Sequence, residues 1–265
     1  MAEIRRGTPP RLGEEDRRRI EGEKARIRRE TWTRMRSEGV ARFPFPIEDR
    51  IPNFDGASEA AQKLSETPEF ERAKVIKVNP DAPQLPLRTL VVRSGKQLLM
   101  SVPRLTDPSC FRLFPPGSHL VPTIQAALSH GVPLSPKDVP HVDLVVAGSV
   151  AVGDRGERVG KGGGYADLEF ALLAMEGKVD SSTSVATTIH PLQRIPRPLP
   201  WTLHDVPLDL VATPSALERV PPVLPRPTGI LPEEMSTAVQ QAIPWLSAYL
   251  SRDLRFGSRA GPPHR

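Results

Sequence analysis

Residues 141–175, HVDLVVAGSVAVGDRGERVGKGGGYADLEFALLAM, decide the fold. Their first part, HVDLVVAGSVAV (141–152), is a near-continuous apolar run rich in valine. That is the pattern of a strand buried on both faces of a parallel sheet. The run ADLEFALLAMEG (166–177), which begins within this stretch, predicts a helix with Leu168, Leu172 and Met175 turned inward. Between them lies a loop carrying Gly160, Gly162, Gly163 and Gly164. A turn at the carboxyl end of an α/β strand is where ligands of such sheets bind. Glycines let the backbone turn tightly and approach a ligand without a Cβ clash. Successive backbone N–H groups and a helix N-terminus together favour an anion, and Arg158 and Lys161 add full charge. Such a loop fits phosphate oxygens; the other reading is a flexible surface turn. It is not a P-loop, because Gly162 follows Lys161 where Ser or Thr is required, and the dinucleotide spacing G-x-G-x-x-G is not met either.

Working outward, helices and strands alternate. Strands are predicted at 74–80, 87–95, 96–103, 184–190 and 208–214, with Ser94-Gly95 read as a hairpin turn and 106–118 as loop. Helices are predicted over 14–38, 58–64 with Ser58 as N-cap, and 68–73. Another ends at Gly131, and a last one covers about 233–242, broken by Pro244. In the connector 41–54, Phe43, Phe45 and Phe54 are expected to be packed. The alternation implies an α/β class with a mostly parallel sheet flanked by helices. Residues 1–13 and 251–265 read as flexible ends of a single 14–250 domain.

Composition narrows the classes further. The 265 residues are 38% hydrophobic, which excludes full disorder. Thirty-one are proline, about 12% against the usual 5%, without a collagen period. The single Cys110 excludes a disulfide framework and a cysteine-rich zinc site. His141, His190 and His204 do not stand at metal spacings, and no G-x-S-x-G elbow is present. No apolar run approaches a membrane span, and the start reads as neither a signal nor a transit peptide. The net charge is +5, and nine Lys/Arg lie between Arg17 and Arg36. Lys24 and Arg28 are four apart and share one helix face. That helix is either a solvated, ion-paired element or one that turns cations towards an anionic ligand.

Beyond these readings, the loop resembles the 5-formyltetrahydrofolate cyclo-ligase (methenyltetrahydrofolate synthetase) family. The family pattern G-x-R-x-G-x-G-x-G-Y-Y-D is met at Gly156, Arg158, Gly160, Gly162, Gly164, Tyr165 and Asp167, with Ala166 in place of the second aromatic. The form GYADLE is similar to the branch of methenyltetrahydrofolate-synthetase-domain-containing proteins. KARIRRETW, RFPFPIEDRIPNFDGASEAA, VATTIHPLQ and HDVPLDLVATP resemble further family segments, Pro191 replacing an Asp. The resemblance covers about residues 20–235. Some relatives in the branch carry an RNA-recognition domain, and none is expected after residue 250.

The resemblance implies a three-layer α/β fold similar to sugar-phosphate isomerases and CoA transferases. It also implies ATP-dependent closure of 5-formyltetrahydrofolate to 5,10-methenyltetrahydrofolate. ATP and Mg²⁺ would be the cofactors and a reduced folate the partner. A cytoplasmic monomer is expected, with no membrane or nucleic-acid partner. Lys24, Arg28, Arg158, Lys161 and the Gly160, Gly162, Gly163, Gly164 and Tyr165 amides would hold ATP, with Arg158, Lys161 and Tyr165 catalytic. Asp167 and Asp209 would hold Mg²⁺; Asn53 and Phe54 would line the folate slot. Alternatives stay open at this stage: Asp167 as a helix cap, Asp209 as a strand-edge carboxylate, Phe54 as plain core. A non-catalytic nucleotide-, folate- or RNA-associated relative also remains open, because of Ala166 and Pro191.

Overall fold

The computed structural model describes residues 13–232, 235 and 237–256. Of the predicted flexible ends 1–13 and 251–265, residues 1–12 and 257–265 lie outside the described residues. In chain order come helix α1 (Glu14–Ser37), the short strands β1 (Ala41–Arg42) and β2 (Asn53–Phe54), and helices α2 (Ala57–Ser65) and α3 (Pro68–Arg72). Strand β3 (Val75–Val78), α4 (Leu85–Arg93), β4 (Gln97–Ser101), β5 (Phe111–Phe114), α5 (Ile124–His130) and β6 (Val132–Leu134) follow. Next are β7 (Leu144–Val146), β8 (Ala151–Val152), β9 (Arg158–Val159) and α6 (Tyr165–Met175). The described chain closes with β10 (Ser184–Thr188), β11 (Leu210–Ala212), β12 (Leu217–Arg219), α7 (Thr237–Ala242) and α8 (Pro244–Phe256).

One eight-stranded sheet has the order β12-β11-β10-β7-β3-β4-β5-β6. Its inner strands β11, β10, β7, β3 and β4 are parallel. The edges, β12 on one side and β5 with β6 on the other, are antiparallel. Side chains alternate across a strand, so each inner strand feeds two cores. Ile76, Val78, Leu98, Met100 and Leu144 pack with Leu64, Leu87 and Val91 of α2 and α4. Val75, Leu99, Val145, Val185 and Val211 pack with Leu168, Leu172 and Leu173 of α6 and Leu246 of α8. Burial on both faces is why these strands read as unbroken apolar runs.

Helix α1 lies against the antiparallel β8–β9 hairpin. Ile27 packs with Ala151, Val159 and Leu199, while Trp32 and Met35 pack with Ile47, Ile51 and Phe54. The buried face of α1 runs Lys24, Ile27, Arg28, Thr31, Trp32, Met35, so its N-terminal half is charged. The helix ends as the sequence requires, with Gly39 at φ +67°.

Several expectations are corrected. Residues 87–95 form most of α4, not a strand. Two parallel strands, β3 and β4, need a crossover helix between them, and that outweighs the β preference of Val91 and Val92. Gly95, at φ +69°, ends that helix and makes no hairpin. The run 141–152 serves two elements. β7 stops at Val146, and the chain turns at Gly148, where a Cβ would sit 2.9 Å from Ile51 and 3.1 Å from an Asp81 oxygen. Ala151 and Val152 then pair with β9 instead of extending the main sheet. The region read as loop contains β5, whose ends Phe111 and Phe114 are buried. Gly56, not Ser58, caps α2. Phe43 and Phe45 are exposed, at 77% and 58%, and only Phe54 of the three is core. Met175 is half-buried. Residues 251–256, read as tail, continue α8, which Pro244 starts from its first turn.

The connection from β3 leads to β4 on one side, and that from β7 leads to β10 on the other. The carboxyl ends of the neighbours β3 and β7 therefore form a topological switch point, the crevice where open α/β sheets bind ligands.

Candidate functional site

The glycine loop stands beside this crevice. Gly162 has φ +113° and Gly164 has φ +65°, conformations that a side chain opposes. A Cβ on Gly163 would fall 2.7 Å from the Tyr165 ring, and one on Gly160 would fall 2.8 Å from Arg158 Nη1. Gly164 is the N-cap of α6. Among the described residues, no acceptor takes the amide protons of residues 161–164. Exposed, unpaired N–H groups at the start of a helix form an anion cradle.

Charge is gathered around the loop in four ion pairs. Arg158, on β9, donates through Nη2 to Asp167 Oδ1 on α6 and through Nη1 to the Gly148 carbonyl at 3.2 Å. Both side chains are nearly fully buried, and the Val206 N–H also donates to Asp167 Oδ1 at 3.0 Å. Burial alone would raise the Asp167 pKa. The Arg158 charge and hydrogen bond and the Val206 amide outweigh it and hold the carboxyl below its ordinary 3.8. Lys24 reaches from α1 to Asp205 at 2.5 Å, also buried. Asp205 accepts as well from the N–H and hydroxyl of Thr202, at 2.7 and 2.9 Å. Arg28, one turn on, donates to the Gly160 carbonyl at 2.8 Å and to Glu21 at 2.8 Å. Lys161 lies across the loop and meets Asp81, after β3, at 2.7 Å.

Two clefts flank the loop. The first, about 790 Å³, is lined by Lys24, Arg28, His204 and Asp205 together with loop residues. The second, about 960 Å³, is lined by Pro44, Arg50, Asn79, Arg88, Ser101 and Glu169 with Lys161, Tyr165 and Ala166. Arg158, Gly160, Gly163, Gly164 and Asp167 line both. The loop is thus a shared wall, and a group bound on one side lies beside a group bound on the other.

Most of the residues picked from the sequence meet here. Lys24, Arg28, Arg158, Gly160, Gly162, Gly163, Gly164 and Asp167 line the first cleft. Lys161 and Tyr165 face the second instead. Asn53, Phe54 and Asp209 line neither. Phe54 is core against Ile51 and Trp32, and Asn53 donates to the Phe43 carbonyl at 2.8 Å. It is Pro44, Pro46 and Arg50 of the same segment that reach the cleft. Asp209 lies at the opposite, amino-terminal end of β11, where it accepts from Arg226 and from the Val185 N–H. A joint magnesium site with Asp167 is therefore not formed. Among the described residues no group of three or more His, Cys, Asp or Glu could hold a metal ion.

Sequence reasoning missed Asp81, Arg88, Lys77 and Glu169. Two of these carried a signal, since Lys77 interrupts the apolar strand KVIKV and Glu169 the apolar helix DLEFALL. Arg88 is buried among carbonyls of Asn79, Asp81 and Pro122, and burial lowers its pKa to about 10.

The model of the 5-formyltetrahydrofolate cyclo-ligase family matches residues 14–214, and the chain belongs to that family. Among individual proteins, it is 39% identical over 243 residues to the methenyltetrahydrofolate synthase domain-containing protein of Mus musculus and 36% identical over 238 residues to that of Homo sapiens. These matches cover 88% and 87% of this chain but only 65% and 62% of the relatives' length. Among solved structures, Aquifex aeolicus 5,10-methenyltetrahydrofolate synthetase aligns with a TM-score of 0.49 at 18% identity, over 74% of this chain and 92% of that one. No helix among the described residues is long and apolar enough to cross a membrane.

Proposed function

We propose that the chain is an ATP-dependent cyclo-ligase that closes the formyl group of 5-formyltetrahydrofolate onto N10, giving 5,10-methenyltetrahydrofolate, ADP and phosphate. The observation that carries this reading is the glycine loop as common wall of two clefts. The first cleft fits a triphosphate in chemistry, with unpaired amides at 161–164 and Lys24, Arg28 and Arg158 around it. The second, with Tyr165 at its rim, takes the pteridine. The nucleotide supplies the phosphoryl group that turns the formyl oxygen into a leaving group. The chain's part is positioning and charge neutralisation, which dominate phosphoryl transfer. The loop amides and Arg158 hold the terminal phosphate against the shared wall. Arg28 anchors the loop through the Gly160 carbonyl, and Lys161 crosses to the folate side.

Magnesium is expected to arrive with the nucleotide. Asp167 already takes two donors on Oδ1, and Asp209 faces Arg226, so the protein does not offer a cage and no step is assigned to the ion. A non-catalytic binder is the second reading, favoured by Ala166, which lines the second cleft where the family pattern has an aromatic. Formation of the methenyl product from 5-formyltetrahydrofolate with and without ATP separates the two. ATP-dependent product is expected. Folded protein that binds ATP and yields no product, with no gain in Ala166→Tyr, would transfer the case to the binder.

A further inference from the structure

The second cleft has a charged floor that the cyclisation itself does not use. Lys77 is the third residue of β3, and strand alternation aims it, with Val75, at the α6 face. There it pairs with Glu169 Oε2, and Asn79 Nδ2 donates to the same oxygen at 3.2 Å. Lys77 lines neither cleft and stands behind the floor, whereas Asn79, Ser101 and Glu169 line the second cleft at 4%, 3% and 4% exposure. Among the described residues nothing donates to Asn79 Oδ1, and Ser101 Oγ has no partner. Lys77 and Asn79 both donate to Glu169 Oε2, and among the described residues nothing donates to Oε1, which is not one of the fully buried atoms. Buried polar atoms in native proteins are satisfied, so unsatisfied ones lining a cleft are open to a ligand or to ordered water. Asn79 Oδ1 and Glu169 Oε1 are both acceptors, and a carboxylate can only accept.

We propose that Glu169 and Asn79 are specificity-determining residues that read adjacent N–H donors on one edge of a planar heterocycle, an exocyclic amino group beside a ring N–H. Lys77 is a positioning residue: it occupies Oε2 and leaves Oε1 to the cleft. The proposal rests on the reading of this cleft as the pteridine side and names the edge that is recognised there. A 2-amino-4-oxo ring meets the two acceptors with donors. A 2,4-dioxo ring sets a carbonyl oxygen against the carboxylate, an unpaired buried acceptor that built sites reject strongly.

The test uses two small probes on the full chain, pterin (2-amino-4-oxo) and lumazine (2,4-dioxo), titrated by fluorescence or calorimetry. Wild type is expected to prefer pterin by about tenfold or more. Glu169→Gln supplies an N–H₂ donor for the 2-oxo group and is expected to shrink the preference to about threefold or less. Asn79→Ala is the second variant, expected to weaken pterin and lumazine alike, because both rings carry the ring N–H that Asn79 Oδ1 accepts, so the preference itself should stay with Glu169. Equal affinities in wild type, no binding of either probe, or an unchanged preference in folded Glu169→Gln would overturn the proposal. Pterin preference that responds to Glu169 without any methenyl product leaves the floor standing and sinks the cyclo-ligase reading. Methenyl product with a preference indifferent to Glu169 does the reverse.

Discussion

Replacing Arg158 by methionine keeps the length of the side chain and removes its charge. Arg158 and Asp167 are 4% and 8% exposed, so the substitution strands a carboxylate that solvent barely reaches. Breaking a buried ion pair from one side costs about 3–5 kcal/mol. Asp167→Leu alone strands the guanidinium and is expected to cost a similar amount. In the double variant no charge is stranded, and what remains is the Val206 N–H and the Gly148 carbonyl without their partners, about 1–3 kcal/mol each and already present in one or other single variant. The coupling between the two sites should therefore exceed about 2 kcal/mol. Urea denaturation at neutral pH measures each corner of the cycle, and an unchanged slope shows that the unfolded states are comparable. Calorimetric titration of the folded double variant with ATP then isolates ligand binding from folding. A loss of about 1.5–3 kcal/mol is expected if Arg158 touches phosphate. Two single costs that simply add to the double cost would refute the pairing argument. Wild-type ATP affinity in the folded double variant would remove Arg158 from the nucleotide site.

Two further outcomes follow from perturbed groups. Asp167 ionises below its ordinary 3.8 in the folded protein, so its contribution to stability is present above about pH 4 and is lost as the pH falls through the folded value. Denaturation midpoints measured down to about pH 2.5 should fall more steeply in wild type than in Asp167→Asn, and parallel curves would contradict this. Cys110 is fully buried; desolvation, and then the nearby Glu169 charge, push its thiol up to about 12. A thiol reagent at pH 8 should label it only after urea is added, and labelling of the native protein at the rate of a free thiol would refute its burial.

How much of this was legible beforehand varied with the range of the interaction. Helix α1 was readable because its start, its 3–4 spacing and the stop at Gly39 are local features. Residues 87–95 read as strand because Leu-Val-Val favours strand locally, yet they form most of α4. The need for a crossover between β3 and β4 arises only once those strands are paired in parallel. Residues 53–54 illustrate the same limit at the site. The segment next to the second cleft was identified, but which of its side chains turn to the cleft depends on the pairing of β1 with β2 and on the core that Phe54 joins.

The sequence by itself determined the glycine loop and the row of amides that opens α6, since glycine conformations, adjacent amides and the start of a helix are properties of one short stretch of chain. It also placed Lys24 and Arg28 on one face of α1, because residues four apart on a helix share a face. Only the tertiary structure decided their partners. Lys24 meets Asp205 across 181 residues, Lys161 meets Asp81 across 80, and Lys77 meets Glu169 across 92. It also decided that Asp209 would lie at the far end of the sheet from Asp167, and that the loop would divide two clefts. Such pairings follow from strand order and crossover, which bring distant residues together through packing of the whole sheet, and no local pattern in the chain encodes them.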